Sequence, residues 1–208
     1  MPDKVLFVTG IGTGIGKTLT SAILVEKFKA DYWKPVQSGD LHNADTMYVK
    51  NLVSNNKTKF HPEAYRLTQP YSPHKSAAID KITIDPDNII LPETDNILII
   101  EGAGGVMVPL NNKFLIIDLI KKLNVPVVLV SQNYLGSINH TLLTVNALKQ
   151  YEIPIAGIIF NGHKDIYTKE FILNYTRAEF LGHIPEFTKI DKKTIISAGD
   201  HINDLVYF

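Results

Sequence analysis

The sequence predicts an α/β fold: a doubly wound, mainly parallel sheet with helices on both faces, in one domain spanning residues 1–208. Three observations carry that expectation. Short apolar runs recur along the chain, and most are apolar throughout instead of alternating, as strands covered on both faces are. Segments compatible with helix separate them, which implies crossover connections between parallel strands. The first run, Val5-Leu6-Phe7-Val8-Thr9, leads through glycines at 10, 12 and 14 into Gly16-Lys17-Thr18, a strand–loop–helix signature.

Strands are expected at 5–9, 32–36, 97–100, 127–131 and 155–160. Helices are expected at 17–28, 44–52, 114–123, 139–151 and 167–180. In the fourth of these, Leu142, Leu143, Val145 and Leu148 put apolar groups on a helix face. The stretch 54–92 is irregular, with prolines at 62, 70, 73, 86 and 92, and reads as connections plus one short helix. The tail 195–208 carries no pattern that assigns it a role.

Composition narrows the function classes. With 208 residues, 45% hydrophobic and 20% charged, the chain is long and apolar enough for a substantial core. Lys plus Arg and Asp plus Glu both number 21, so no net charge draws it to nucleic acid or to an anionic membrane. It has no cysteine, which excludes disulfides, thiolate zinc sites and a cysteine nucleophile. No apolar run approaches the roughly 18 residues of a membrane span. There is no leader-like N-terminus, and a soluble cytoplasmic protein is expected.

The loop after the first strand is a phosphate site. Glycines let the backbone approach an anion closely, and the following helix presents its positive end. Lys17 is placed to reach the β- and γ-phosphates, and the Thr18 hydroxyl to hold Mg²⁺, as in P-loop NTPases. An ordinary loop of this kind would have glycine where Ile11 stands. Gly10 lies one position further out, so this loop is one residue longer.

In an open parallel sheet, ligands bind beyond the carboxyl ends of the strands, so the residues there are the candidates. Lys34-Pro35-Val36-Gln37-Ser38-Gly39 places a lysine where it would neutralise charge developing during phosphoryl transfer; alternatively it is a surface lysine beside a turn. Asp45 either stabilises the first turn of a helix or ligates Mg²⁺, and the pattern alone does not separate the two. Glu101 follows four apolar residues and precedes Gly102-Ala103-Gly104-Gly105, where a magnesium ligand facing the loop would stand. A helix opening near Ser137 or Asn139 would offer N–H groups to a carboxylate, or would simply be capped by those residues. His140 has no partner at metal-ligand spacing among the seven histidines, so catalytic zinc is not expected. Asn161 would pair with a nucleobase edge or stabilise its turn.

Together these pieces resemble the dethiobiotin synthetase family. They run from Val8-Thr9-Gly10 through Gly16-Lys17-Thr18, Lys34-Pro35-Val36-Gln37-Ser38-Gly39 and Asn43-Ala44-Asp45. They continue with Ser72-Pro73-His74, Glu101-Gly102-Ala103-Gly104-Gly105, Pro109-Leu110, Leu135-Gly136-Ser137-Ile138-Asn139-His140 and Ile184-Pro185. The resemblance implies a homodimer that uses ATP and Mg²⁺ to close a cyclic urea on 7,8-diaminononanoate with CO₂. The route runs through a carbamate and a carbamic-phosphoric anhydride, and releases ADP and phosphate.

Carried over, the resemblance gives Thr13, Gly14, Ile15, Gly16, Lys17, Thr18 and Leu19 to the phosphates. Thr18, Asp45 and Glu101 go to Mg²⁺. Lys17 and Lys34 go to the carbamate and the transferring phosphoryl, and Ser38 to the substrate. Gly102, Ala103 and Gly104 join the nucleotide-binding set, with Asn161 at the adenine and Pro185 among the same positions. Gly136, Ser137, Ile138, Asn139 and His140, from the other subunit, would receive the substrate carboxylate. Three rivals stand beside this reading, of which a plain nucleotide-binding module without chemistry is disfavoured by Lys34 with Glu101. A partitioning-type switch ATPase would carry a lysine where Gly12 stands, and an amidotransferase-type synthetase would need a glutaminase domain for which the chain has no room.

Overall fold

The computed structural model describes residues 4–204, so residues 1–3 and 205–208 of the expected domain, with the end of the tail, lie outside the described residues. Seven strands form one sheet: β1 (Val5–Gly10), β2 (Asp31–Trp33), β4 (Phe60–His61), β6 (Leu98–Gly105), β7 (Val127–Gln132), β8 (Ile155–Asn161) and β9 (Phe180–Ile184). Their order is β4-β2-β6-β1-β7-β8-β9, and every pairing is parallel. A second, two-stranded parallel sheet joins β3 (Val36–Ser38) to β5 (Tyr65–Leu67).

The helices are α1 (Lys17–Phe28), α2 (Asp45–Leu52), α3 (Pro73–Ile79), α4 (Ile116–Leu123), α5 (Ser137–Gln150), α6 (Ile166–Thr176) and α7 (Lys192–Ala198). The sheet divides the core by the strand period of two. Leu6, Val8, Ile99, Val128, Val130 and Ile159 pack with α1, α2 and α7 on one face. Phe7, Leu98, Ile100, Val127, Leu129, Ile158 and Phe160 pack with α4, α5 and α6 on the other. A strand buried on both faces has no polar side to show, which is why these runs are continuously apolar. No helix among the described residues is long and apolar enough to cross a membrane.

Four expectations are corrected. The strand expected at 32–36 is two strands in different sheets, because Pro35 lacks the N–H that would continue the ladder. The strand expected at 97–100 runs on through the glycines to Gly105, so Glu101 lies within it, beside a register irregularity against β1 between Val8 and Gly10. The helix expected at 167–180 ends at Thr176, where Arg177 takes a left-handed conformation (φ 58°), and the chain re-enters the sheet as β9. The irregular stretch 54–92 contains, besides the short helix α3, the strands β4 and β5. Pro73 opens α3, as its fixed φ and missing N–H favour at a first helical position.

Candidate active site

The phosphate loop leaves β1 at Gly10 and ends at Gly16, whose φ of 91° no ordinary L-residue adopts without strain. No side chain caps α1, so its first N–H groups remain free to meet an anion. Asn161, at the end of β8, donates through Nδ2 to the Ile15 carbonyl at 2.9 Å and braces the loop from behind. Lys17 is folded onto its own loop, its Nζ donating to the Gly12 carbonyl at 2.7 Å.

Beside the loop, two strands and two helices deliver charged and polar groups to one point. On β6, Glu101 stands two residues beyond Ile99, so both face α1. On the neighbouring strand, Tyr32 faces the same way, and Lys34 follows two residues later. Glu101 Oε1 accepts from Lys34 Nζ at 2.9 Å and from Thr18 Oγ1 at 2.8 Å, while Oε2 accepts from the Tyr32 hydroxyl at 2.9 Å. The Lys34 ammonium also lies 2.6 Å from Asp45 Oδ2 and donates to the Gly102 carbonyl at 3.1 Å. Gln37 accepts from the Asp45 backbone N–H at 3.3 Å and donates to the Gly39 carbonyl at 3.0 Å, tying the start of α2 to the Ser38–Gly39 turn. In that turn a Cβ on Gly39 (φ 72°) would come within 2.6 Å of the Pro70 backbone.

The electrostatics of the two lysines diverge. Burial, and then the Lys34 charge, push Lys17 down to about 8, against an opposing pull from Glu101 and Asp45. Burial also penalises the charged form of Lys34, but Glu101 and Asp45 outweigh it and raise Lys34 above the ordinary lysine value. Burial and the Glu101 charge hold the Tyr32 proton well above the ordinary tyrosine range, so Tyr32 remains a donor.

These groups open into a cleft of about 740 Å³ that reaches from Thr13, Gly14, Gly16, Lys17, Thr18 and Leu19 past Lys34, Asp45, Glu101, Ala103 and Gly104 to Ser38. The Ser38 hydroxyl is buried there without a hydrogen-bond partner. Ile15 is buried and lends only its backbone to the loop, and Gly102 lies beneath the cleft with its carbonyl on Lys34. Asn161 and Pro185 stand at the ends of β8 and β9, outside this cleft, where Asn161 pairs with Ile184 across the ladder. The turn from Gly136 to His140 does not line the cleft of its own chain. Sequence reasoning missed Tyr32 and Gln37, although Gln37 sits inside a motif it had singled out.

A phosphate loop, two buried lysines and paired carboxylates at the carboxyl ends of a parallel sheet define an ATP-dependent enzyme of the P-loop class. The family described as AAA domain matches residues 4–194. An ATP-dependent dethiobiotin synthetase BioD from Christiangramia forsetii is 50% identical, over 92% of this chain and 92% of that protein. Another from Cytophaga hutchinsonii is 46% identical, over 98% and 99%. This chain belongs to the ATP-dependent dethiobiotin synthetase family.

Solved structures share the fold at low identity. A ParA family ATPase from Chlorobium tepidum matches with a TM-score of 0.60 at 13% identity, covering 97% of this chain and 100% of that one. The septum site-determining protein MinD complexed with Mg-ADP, from Pyrococcus horikoshii, matches with a TM-score of 0.61 at 14% identity, covering 94% and 86%. At such identity these likenesses speak for the fold alone.

Proposed function

We propose that this chain makes dethiobiotin, closing the cyclic urea of 7,8-diaminononanoate with CO₂ and ATP as a cytoplasmic homodimer. The observation that carries the reading is the Lys34 ammonium, fixed between Glu101 and Asp45 at the mouth of a phosphate loop, with an unpartnered Ser38 hydroxyl nearby. Both reacting partners in the phosphoryl transfer, a carbamate and the γ-phosphate, are anions. Bringing them together requires cations and N–H dipoles set in place beforehand.

One amine of the substrate adds to CO₂ and releases a proton, giving a carbamate for which Ser38 and Lys34 are the contacts. A carbamate oxygen attacks the γ-phosphorus and ADP departs, while Lys17 and the N–H groups of Thr13 to Leu19 hold the phosphate charge. The second amine then attacks the carbonyl carbon of the mixed anhydride, phosphate leaves with the C–O bond electrons, and the amine proton is released. Gly102, Ala103 and Gly104 pass beside the nucleotide, and Asn161 and Pro185 take its adenine end. The turn of Gly136, Ser137, Ile138, Asn139 and His140 serves the substrate carboxylate of the partner subunit's site.

The donor set suits Mg²⁺. Thr18, Asp45 and Glu101 offer one hydroxyl and two carboxylates, the hard oxygens that this ion takes alongside phosphates. An ammonium already drawn between the two carboxylates marks the place as one of negative potential. Bound there, Mg²⁺ would neutralise charge on the β- and γ-phosphates.

The test is ADP release with Mg²⁺ and bicarbonate, with and without 7,8-diaminononanoate, and detection of dethiobiotin by mass. ADP release that depends on the diamine is expected. Turnover indifferent to the diamine would point instead to a switch ATPase, a reading already disfavoured by Gly12.

A further inference from the structure

We propose that Tyr32 is a positioning residue for the reaction: its hydroxyl locks the Glu101 carboxylate in the one rotation that serves Thr18, Lys34 and the metal. The inference rests on the metal set proposed above. Tyr32 is fully buried in the same apolar cluster as the β1 and β6 side chains Leu6, Val8 and Ile99, with Phe60 beside its ring. Its ring lies 6.1 Å from that of Phe60. An aromatic residue at this point needs no hydroxyl to fill the core. The hydroxyl nonetheless reaches Glu101 Oε2 at 2.9 Å, in a contact inaccessible to solvent.

The consequence follows from how a carboxylate turns. The last torsion of a glutamate is broad and two-fold, so packing alone holds the carboxylate plane weakly. Lys34 and Thr18 both bind Oε1, and among the described residues Oε2 is held by the Tyr32 hydroxyl, so that bond anchors the far side of the carboxylate plane. Tyr32 supplies that point from the strand next to β6. Without it the carboxylate turns, and the lysine and hydroxyl that share Oε1 lose their common anchor. Outer-shell partners of this kind typically change metal affinity or activity by about 10–100-fold.

Tyr32→Phe removes one oxygen and keeps the ring. With the purified full-length chain, calorimetric titration of ADP in Mg²⁺ and again in EDTA gives a readout independent of turnover. The expected result is ADP binding weakened about tenfold in Mg²⁺ and unchanged in EDTA. The Mg²⁺ concentration for half-maximal rate should rise by a similar factor, and kcat should fall while KM for the diamine holds. A purely structural tyrosine would weaken both titrations alike or neither, and either result overturns the inference. Phe60→Leu, which disturbs the same packing without touching the hydroxyl, should leave the Mg²⁺ dependence as in the parent.

If Tyr32→Phe does not fold, the comparison moves to the Glu101→Gln background, where removing the hydroxyl should cause no further loss of Mg²⁺-dependent ADP binding. A further tenfold loss there would overturn the proposal. If ADP binding to the parent chain is itself indifferent to Mg²⁺, the proposed metal set fails. If the parent responds and Tyr32→Phe matches it, only the role of Tyr32 fails.

Discussion

Lys17, in the phosphate loop, and Lys34, at the edge of β2, are almost equally buried, and the protein treats them in opposite ways. Lys34 meets two carboxylates and a carbonyl supplied by the chain itself, and is held charged. Lys17 meets a single carbonyl, and burial makes its proton easier to lose. Burial alone therefore does not decide the charge of a lysine; the built-in counter-ions do. Lys34 has its counter-ions in direct contact, while Lys17 touches none among the described residues and is set up for a negative partner at the phosphate loop.

The sharpest way to break this comparison is to delete each cation. Lys17→Ala and Lys34→Ala should each lower turnover by about a hundredfold or more, as removal of a fixed donor at a developing oxyanion does. Their stabilities should part. Lys34→Ala strands Glu101 and Asp45 without a counter-ion, and should cost about 3 kcal/mol. Lys17→Ala leaves no carboxylate stranded and should cost less than about 1 kcal/mol. Urea unfolding of the two variants checks this, and equal losses would show that Lys34 is not the keystone of a buried ion cluster.

That difference bears on what could be read beforehand. The phosphate loop was legible because its chemistry is local: strand, glycines, lysine and threonine follow one another in the chain. Glu101 was legible because a charge ending an apolar run is conspicuous. Its partners were not, since Tyr32 lies 69 residues away in sequence and looks like any core aromatic. Pro35 should have warned that the strand at 32–36 breaks. β9 was hidden because Phe180–Ile184, short and interrupted by Gly182, follows a helical pattern without a turn signal. The face that collects Thr18, Lys34 and Glu101 exists only once β2 and β6 lie side by side, and that pairing is not local.

Titration sharpens the comparison further. The ordinary lysine value is 10.5, and Lys17 has fallen to about 8. Between these values the unfolded chain holds a proton that the folded chain has released, so Lys17 favours folding more as pH rises through that window and costs stability below it. Lys34, shifted upward, contributes stability that is fully present below 10.5 and fades only as pH climbs through its higher folded value. Nucleotide phosphates would return the proton to Lys17. ADP affinity should therefore be flat below pH 8 and fall by roughly tenfold per unit above it, with uptake of about one proton. Calorimetry in two buffers of different ionisation enthalpy measures that uptake. Lys17→Met should abolish the slope, whereas a slope that survives would assign the proton to another group.

The smallest expected effect concerns a region that contrasts with both lysines. The cleft gathers its charged groups within one chain, but the turn from Gly136 to His140 points elsewhere. Gly136 opens α5 with no side-chain cap, the Ser137 N–H turns back to the Tyr134 carbonyl at 2.9 Å, and Leu135 beside it is fully exposed. His140 Nδ1 and the Tyr134 hydroxyl, 2.8 Å apart, brace the turn without filling it. If this turn completes the cleft of a second copy across a twofold axis, each site takes Lys34 from one chain and the turn from the other. A Lys34→Ala chain and a chain disabled at Ser137 and Asn139 would each be inactive alone. After joint refolding of equal amounts, half the dimers are mixed, and in each mixed dimer one site of the two carries neither lesion. Activity should recover to about a quarter of the parent level. Recovery that is absent despite mixed dimers, shown by differently tagged chains, would place the turn and the cleft of one site on the same chain. Sedimentation that found a fully active monomer would reject the shared site directly.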